Sequence, residues 1–111
     1  MKGSWGAYEM NTCPEKDFDA ADKALNAAYQ KALKQVPGMA VADMERFNTK
    51  NWEKTLRASQ RAWLAYRDAE CGEHVPMFWG GGTGTNVAVV GCMAEKTKAR
   101  TKELLESYER Q

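Results

Sequence analysis

Apolar residues recur at intervals of three or four along the first third of the chain. This spacing predicts an amphipathic helix over residues 14–35. Its apolar face comprises Phe18, Ala21, Leu25, Ala28, Ala32 and, just after the last helical residue, Val36. Thr12 followed by Glu15 is typical of a helix N-terminus. The side chain of each residue can accept a hydrogen bond from the backbone N–H of the other. Pro37 and Gly38 predict the end of the helix. Because the helix is predicted to start after Thr12, residues 1–12 are expected to form a tail.

The clearest helical pattern runs over residues 52–71, which contain neither glycine nor proline. The seam of this second helix follows a 4-3-4-3 spacing and comprises Trp52, Leu56, Ser59, Trp63 and Tyr66. Residues 39–47 also show helical spacing, so we expect a kink or break near residues 48–51 rather than one straight helix. Gly72 predicts the C-terminus of the second helix.

A third helix is predicted after a loop at residues 72–85, which contains Gly80, Gly81, Gly82 and Gly84. Thr85 or Asn86 is the expected N-cap. The apolar face of the third helix comprises Val87, Val90, Ala94, Thr97, Thr101, Leu104 and Tyr108. No alternating pattern typical of a strand is found. The sequence therefore predicts an all-α fold: one domain over residues 13–111, an antiparallel three-helix bundle with a Gly-rich loop between helices 2 and 3.

Composition and charge narrow the classes of function. The 111 residues are 43% hydrophobic and 28% charged, with a net charge of +1, which is typical of a small globular domain and lacks the basic excess of a nucleic-acid binder. No apolar run approaches the roughly 20 residues that span a bilayer. The first residues lack the apolar centre of a signal peptide, so the chain is either cytosolic or has lost a targeting segment that preceded this numbering.

Three cysteines give three possible single disulfides. Cys13 begins the first predicted helix, Cys71 ends the second, and Cys92 lies in the early turns of the third, so an up-down-up bundle places all three near one pole. Cys71–Cys92 is the favoured pair, because closing the loop already brings its ends together. Cys13 paired with either of the others stays an alternative.

The candidate catalytic and ligand-binding signals are weak. Cys71, His74 and Cys92 could supply three metal ligands, but there is no second Cys-x-x-Cys pair and an oxidising compartment would consume the thiols, so no metal is expected. A Cys–His nucleophile pair lacks an orienting third group. The glycine run lacks the Lys-Ser/Thr of a phosphate loop, and no strand precedes it. We therefore expect no enzymatic activity and no cofactor.

Side chains of the second helix have both a structural and a binding interpretation. The aromatic seam of Trp52, Trp63 and Tyr66 is interpreted as core rather than as a ligand platform. Gln60, Arg67 and Asp68 are interpreted as structural polar contacts between helices. A partly buried Arg67 needs a carboxylate or carbonyl partner, for which Asp22 and Glu70 are candidates, whereas Asp68 is expected to face elsewhere.

The predicted loop also carries large apolar side chains at residues 75–79, with the sequence VPMFW. Two arrangements are possible for this segment. The side chains fold back onto the end of the bundle, or they form an exposed patch of the kind that marks a partner site.

The run QRAWLAYRDAEC at residues 60–71 resembles the signature of the LprI-like family of small exported bacterial proteins. Three further segments resemble family blocks in the same order: MNTC at 10–13, ALNAAY at 24–29, and TKAR at 97–100 after Cys92. The resemblance spans about residues 8–108. It implies a helical fold, export past the inner membrane, disulfide bonding and, from the family's name, inhibition of lysozyme. Family members often carry another cysteine before the MNTC block, and this chain does not.

The resulting hypothesis is a periplasmic or secreted binding protein, its signal peptide removed from this numbering, that occludes the cleft of a protein partner such as a lysozyme. His74, Phe78 and Trp79 are the expected contact residues. A structural or assembly module of the cell envelope and a neutralising partner of a secreted toxin are the alternatives. Neither a nucleic acid nor a membrane span is expected.

Overall fold

The fold is that of a computed structural model, which describes residues 7–41 and 44–109, with side chains for residues 15–41 and 44–108. The elements are α1 (Ala7–Gln35), a 3₁₀ turn (Val36–Gly38), α2 (Thr49–Ala69), a π-helical turn (Glu70–His74), α3 (Val75–Trp79) and α4 (Thr85–Glu109). The described residues form helices and connections without a strand, so the predicted all-α class is confirmed.

The three long helices run up, down and up. Trp52 on α2 meets Tyr108 on α4, and Gln60 meets Arg100, so these two helices are antiparallel. Lys98 on α4 pairs with Asp17 on α1 at 2.8 Å. This hydrogen bond raises the pKa of the Lys98 ammonium above its ordinary value.

Small side chains let α1 and α4 approach closely, and this pair has the most extensive helix packing of the fold. Ala21, Ala28 and Ala32 are buried on α1, and Ala94 and Thr97 are buried on α4. The larger apolar side chains gather at one half of the bundle, in a cluster of Leu25, Ala28, Ala32, Val36, Leu56 and Leu104. Trp52, Trp63 and Tyr108 are partly buried against it. The apolar core is therefore concentrated toward the start of α2.

The break predicted near residues 48–51 coincides with the start of α2. Asn48 is the N-cap, and its Oδ1 accepts a hydrogen bond from the backbone N–H of Asn51 at 2.8 Å. Its Nδ2 donates to the carbonyls of Met44 and Glu45, each at 3.0 Å. These bonds hold the preceding residues in bends. The helical prediction for residues 39–47 was therefore wrong for the described part of that segment.

The start of the predicted loop at residues 72–85 also differs, whereas its end agrees with the start of α4 at Thr85. The helical path of α2 continues through the π turn and α3 to Trp79, and only residues 80–84 connect it to α4. Val75 N–H donates to the carbonyl of Glu70, the wider spacing of a π turn. This turn lies just before Pro76, whose missing N–H and ring conflict with regular α-helical bonding. Gly72 is thus inside a helical turn rather than at a terminus.

The start of α1 was also predicted wrongly, because the helix begins at Ala7 rather than near Pro14. The capping interaction predicted for Thr12, and the side chain of Cys13, lie outside the described side chains. None of the described helices combines the length and the apolar character needed to cross a bilayer.

Candidate functional site

The pole of the bundle at the end of α2 is closed by a disulfide. Cys71 in the π turn is bonded to Cys92 in α4, with 5.5 Å between their Cα atoms. Cys71 is fully buried. The favoured pairing is confirmed, and both sulfurs are used in it, so neither is free to bind a metal or act as a nucleophile. The described residues contain no cluster of three potential metal-binding side chains.

An exposed apolar surface projects beyond this disulfide. We call it the tip, and define it as Met77, Phe78 and Trp79, whose exposed fractions are 77%, 76% and 51%. Val75 and Pro76, by contrast, are partly buried. The segment therefore divides between the two arrangements considered from the sequence: its first two residues fold back and its last three are exposed.

The glycines after the tip fix the position of Trp79. Gly80 and Gly81 have φ angles of 59° and 73°, which side-chain-bearing residues rarely adopt, so they end α3. A Cβ at Gly84 would lie 2.8 Å from Cε3 of Trp79 and closer still to Cζ3. Gly84 therefore leaves the space in which the indole rests. From the sequence, Gly84 is placed only in a flexible loop, since the spacing of residues does not report its contact with Trp79.

His74 lies next to the tip. Its ring is tilted against Phe78 with 5.0 Å between centroids. Its Nδ1 is 3.0 Å from Oε1 of Glu70, one helical turn earlier. The imidazole thus connects an aromatic side chain of the tip to a carboxylate of the π turn.

A polar cluster lies beneath the tip, between the three long helices. Arg67 is only 8% exposed. Its Nη1 donates to Oγ1 of Thr97 on α4 at 3.3 Å and is 3.7 Å from Oδ1 of Asp22 on α1. The guanidinium also faces the rings of Phe18 and Trp63, at 5.3 and 5.4 Å. One side chain thus contacts all three helices.

Two predictions about Arg67 are corrected by its hydrogen bonds. Asp68 does not face away, because its Oδ1 accepts from Nε at 3.0 Å and from Nη2 at 2.9 Å. The long arginine side chain turns back toward its neighbour, although the two Cβ atoms point in different directions. Glu70 is instead engaged with His74.

The other predicted residues of α2 separate into buried and exposed positions. Gln60 is buried, and its Oε1 accepts from Nε of Arg100 at 3.0 Å. Trp63 is partly buried against the core. Tyr66 is 52% exposed, and its ring and hydroxyl contact Lys96. The core interpretation was therefore wrong for Tyr66.

Comparison with known proteins places this helical chain among bacterial relatives. An uncharacterized protein of Rhizobium meliloti, R02472, is 37% identical over 106 residues, covering 91% of this chain and 75% of the relative. The uncharacterized protein YecT of Escherichia coli is 37% identical over 67 residues, which cover 56% of this chain and 38% of YecT. No solved structure matches the chain.

The family comparison covers nearly the whole chain and agrees with the motif in α2. The sequence profile described as "Lysozyme inhibitor LprI" matches residues 2–104, a range that contains the tip, the disulfide and the polar cluster. The chain therefore belongs to the LprI family.

Proposed function

We propose that this protein is an exported inhibitor of lysozyme that blocks the enzyme by protein–protein contact through the tip. The observation that carries the proposal is the exposure of Met77, Phe78 and Trp79 directly above the Cys71–Cys92 disulfide. The name of the family supplies the class of target.

The tip has the properties of a binding surface rather than of misplaced core. Burying one large apolar side chain is worth roughly 1.5–3 kcal/mol, and the tip leaves three of them largely in water. Aromatic residues in a compact patch commonly carry most of the energy of a protein interface. The disulfide and the contact with Gly84 hold the patch in place, which lowers the entropy lost on binding.

Charges around the tip favour a cationic partner. Residues 68–94 contain no lysine or arginine. Asp68 in this range is neutralised by Arg67, so the negative charge around the tip comes from Glu70 and Glu73. Such a surface speeds association with a positively charged partner, and the effect weakens as salt screens it. Inhibition through the tip should therefore decline as ionic strength rises.

The disulfide supports the export part of the proposal. Bonds of this kind form and persist in oxidising compartments such as the periplasm or the extracellular space. A lysozyme also acts on the cell wall, so an inhibitor must reach the same side of the membrane.

Cell-wall lysis by lysozymes of several structural types, with and without the protein, tests the proposal. We expect inhibition of at least one type by the wild-type protein and at least a tenfold loss in the double variant Phe78→Ser, Trp79→Ser. Met44→Ser is the matched control, because Met44 is similarly exposed and lies in the segment before α2, away from the tip.

The outcomes of this experiment distinguish two questions: whether a lysozyme is the target, and whether the tip is the surface that binds it. Absence of inhibition of every type at micromolar protein would reject lysozyme as the target. Equal inhibition by wild type and the tip variant would instead show that the enzyme binds another surface.

A further inference from the structure

A second apolar surface lies at the opposite end of α2 from the tip. It is a groove of about 660 Å³ between the start of α2 and the segment before it, and its lining includes Val41, Phe47, Trp52 and Ala58. Its volume falls within the range of roughly 300–1,000 Å³ that is common for ligand sites. Phe47 is mostly exposed at its edge.

Among the described residues, the two charged side chains that line the groove are both cations. Arg46 and Lys54 contribute side chains to it, beside the apolar residues and the amides of Asn48 and Asn51. Within the described part of the chain, neither cation forms an ion pair with a carboxylate. An occupant that combines apolar side chains with negative charge fits this groove best.

The same chain carries a surface with those properties. The tip is exposed, apolar and largely aromatic, and its surroundings contain Glu70 and Glu73 without any lysine or arginine at residues 68–94. The groove lies at the start of α2 and the tip beyond its end, and the 21 residues of this helix span about 30 Å, so the two surfaces cannot meet within one copy. They can meet between two copies.

We propose that the tip of one molecule docks in the groove of another, so that the protein associates head to tail. Phe78, the most exposed aromatic residue of the tip, enters beside Phe47 and Trp52, and the acidic rim of the tip faces Arg46 and Lys54. The contact uses two different surfaces and is therefore heterologous. Every such assembly keeps one free tip and one free groove, so association continues into open chains unless these two ends meet and close a ring, of which an antiparallel dimer with two tip–groove contacts is the smallest.

This association is expected to be weak and dependent on concentration. Three side chains in one groove make a smaller contact than the roughly 1,200 Å² at which stable interfaces begin. Association also covers the tip, so it competes with any other partner of the tip. The inference concerns the chain alone and does not depend on lysozyme being that partner.

Two substitutions at exposed positions each disable one of the two surfaces. Phe78→Asp removes the tip contact and leaves the groove intact. Ala58→Glu fills the groove and places a negative charge in it, and it leaves the tip intact; Ala58 is exposed on α2, where glutamate is a good helix former. Circular dichroism and melting curves verify that each variant is folded.

Sedimentation equilibrium of wild type, of each variant, and of their equimolar mixture, up to millimolar protein, is the test. The wild-type average mass should rise with concentration to at least that of a dimer and fall back as salt is added. Each variant alone should remain a monomer. The mixture should form a 1:1 dimer and stop there, because only one productive tip and groove remain.

Three results would overturn the inference. They are a wild type that is monomeric up to millimolar concentration, a variant that associates alone as the wild type does, and a mixture that stays monomeric. Non-reducing gels run on the same samples separate this association from cross-linking through Cys13.

Discussion

Arg67 and Thr97 form a buried hydrogen bond between α2 and α4, with 3.3 Å between Nη1 and Oγ1. Thr97 is fully buried and Arg67 nearly so, yet the carboxylates of Asp22 and Asp68 that neutralise the guanidinium are each more than half exposed. The positive charge is therefore inside the bundle while its counter-charges stay hydrated. This arrangement avoids the desolvation of two carboxylates that a fully buried ion pair would require.

Arg67→Ala should lower the free energy of unfolding by about 2–3 kcal/mol. The substitution leaves the Thr97 hydroxyl without this donor and removes the packing of the side chain between two aromatic rings. Urea denaturation measures the change. Arg61→Ala is the control, because Arg61 is exposed on the same helix and its loss should alter stability by less than about 0.5 kcal/mol. Equal effects of the two substitutions would contradict the structural role of Arg67.

Trp63→Ala and Tyr66→Ala should differ clearly, although the sequence places both residues on one seam. Trp63 packs against the core, so its truncation should cost about 2–3 kcal/mol, below the range for a fully buried tryptophan. Tyr66 is mostly in solvent beside Lys96, so its truncation should cost less than about 1 kcal/mol. Thermal melts of the two variants check this, and a larger loss for Tyr66→Ala would reverse the assignment.

Helical periodicity and the positions of the cysteines were sufficient to predict the long helices and the disulfide. The 3.6-residue periodicity identifies the buried faces that carry Leu25, Ala28 and Leu104, because that spacing depends only on helix geometry. The topology of the bundle brings Cys71 near Cys92.

Features that depend on three-dimensional packing were not accessible from the sequence. Tyr66 lies on the apolar seam yet is exposed, and no residue pattern reports that Lys96 rather than the core covers its ring. The helical path through Gly72 and Pro76 depends on a π turn, whereas both residue types favour loops in a local interpretation. For the same reason, the exposure of the tip could be proposed from the sequence only as one of two arrangements.

Thiol counting on unfolded, non-reduced protein should find one free thiol and one disulfide per molecule. Cys71–Cys92 is the bond, and Cys13 remains as the thiol. Peptide mapping identifies the pair. A bridge that contains Cys13 would contradict this assignment.

Replacing both bonded cysteines by alanine should lower the free energy of unfolding by about 3 kcal/mol, the chain-entropy value for a sequence separation of 21 residues. The same double variant should lose affinity for a partner of the tip, since the base of the tip is no longer fixed. Cys13→Ser is the control and should leave the bond intact.

Gly84→Ala should displace the Trp79 indole while leaving the protein folded. A Cβ at residue 84 overlaps the ring, but the ring is half exposed and can rotate away. We expect a shifted indole N–H signal for one tryptophan in NMR spectra, weaker inhibition, and a change in stability below about 0.5 kcal/mol.

Gly91→Ala is the matched control for that substitution. Gly91 lies within α4, and a Cβ there meets no atom within 4 Å. This variant should gain about 0.5–1 kcal/mol of stability, because alanine favours the helix more than glycine does, and it should leave the Trp79 signal unchanged. Identical tryptophan spectra for the two variants would show that Gly84 does not position the indole.

The small contact between the tip and the rest of the fold has a consequence for how such a protein can change its target. Met77 and Phe78 are about three-quarters exposed, so replacing them removes little of the burial that stabilises the bundle. The disulfide and the α1–α4 packing below them are unaffected by such replacements. Recognition can therefore diverge by point mutation without a compensating change in the core. The scaffold is suited to a randomised library at these two positions, selected for binding to new proteins.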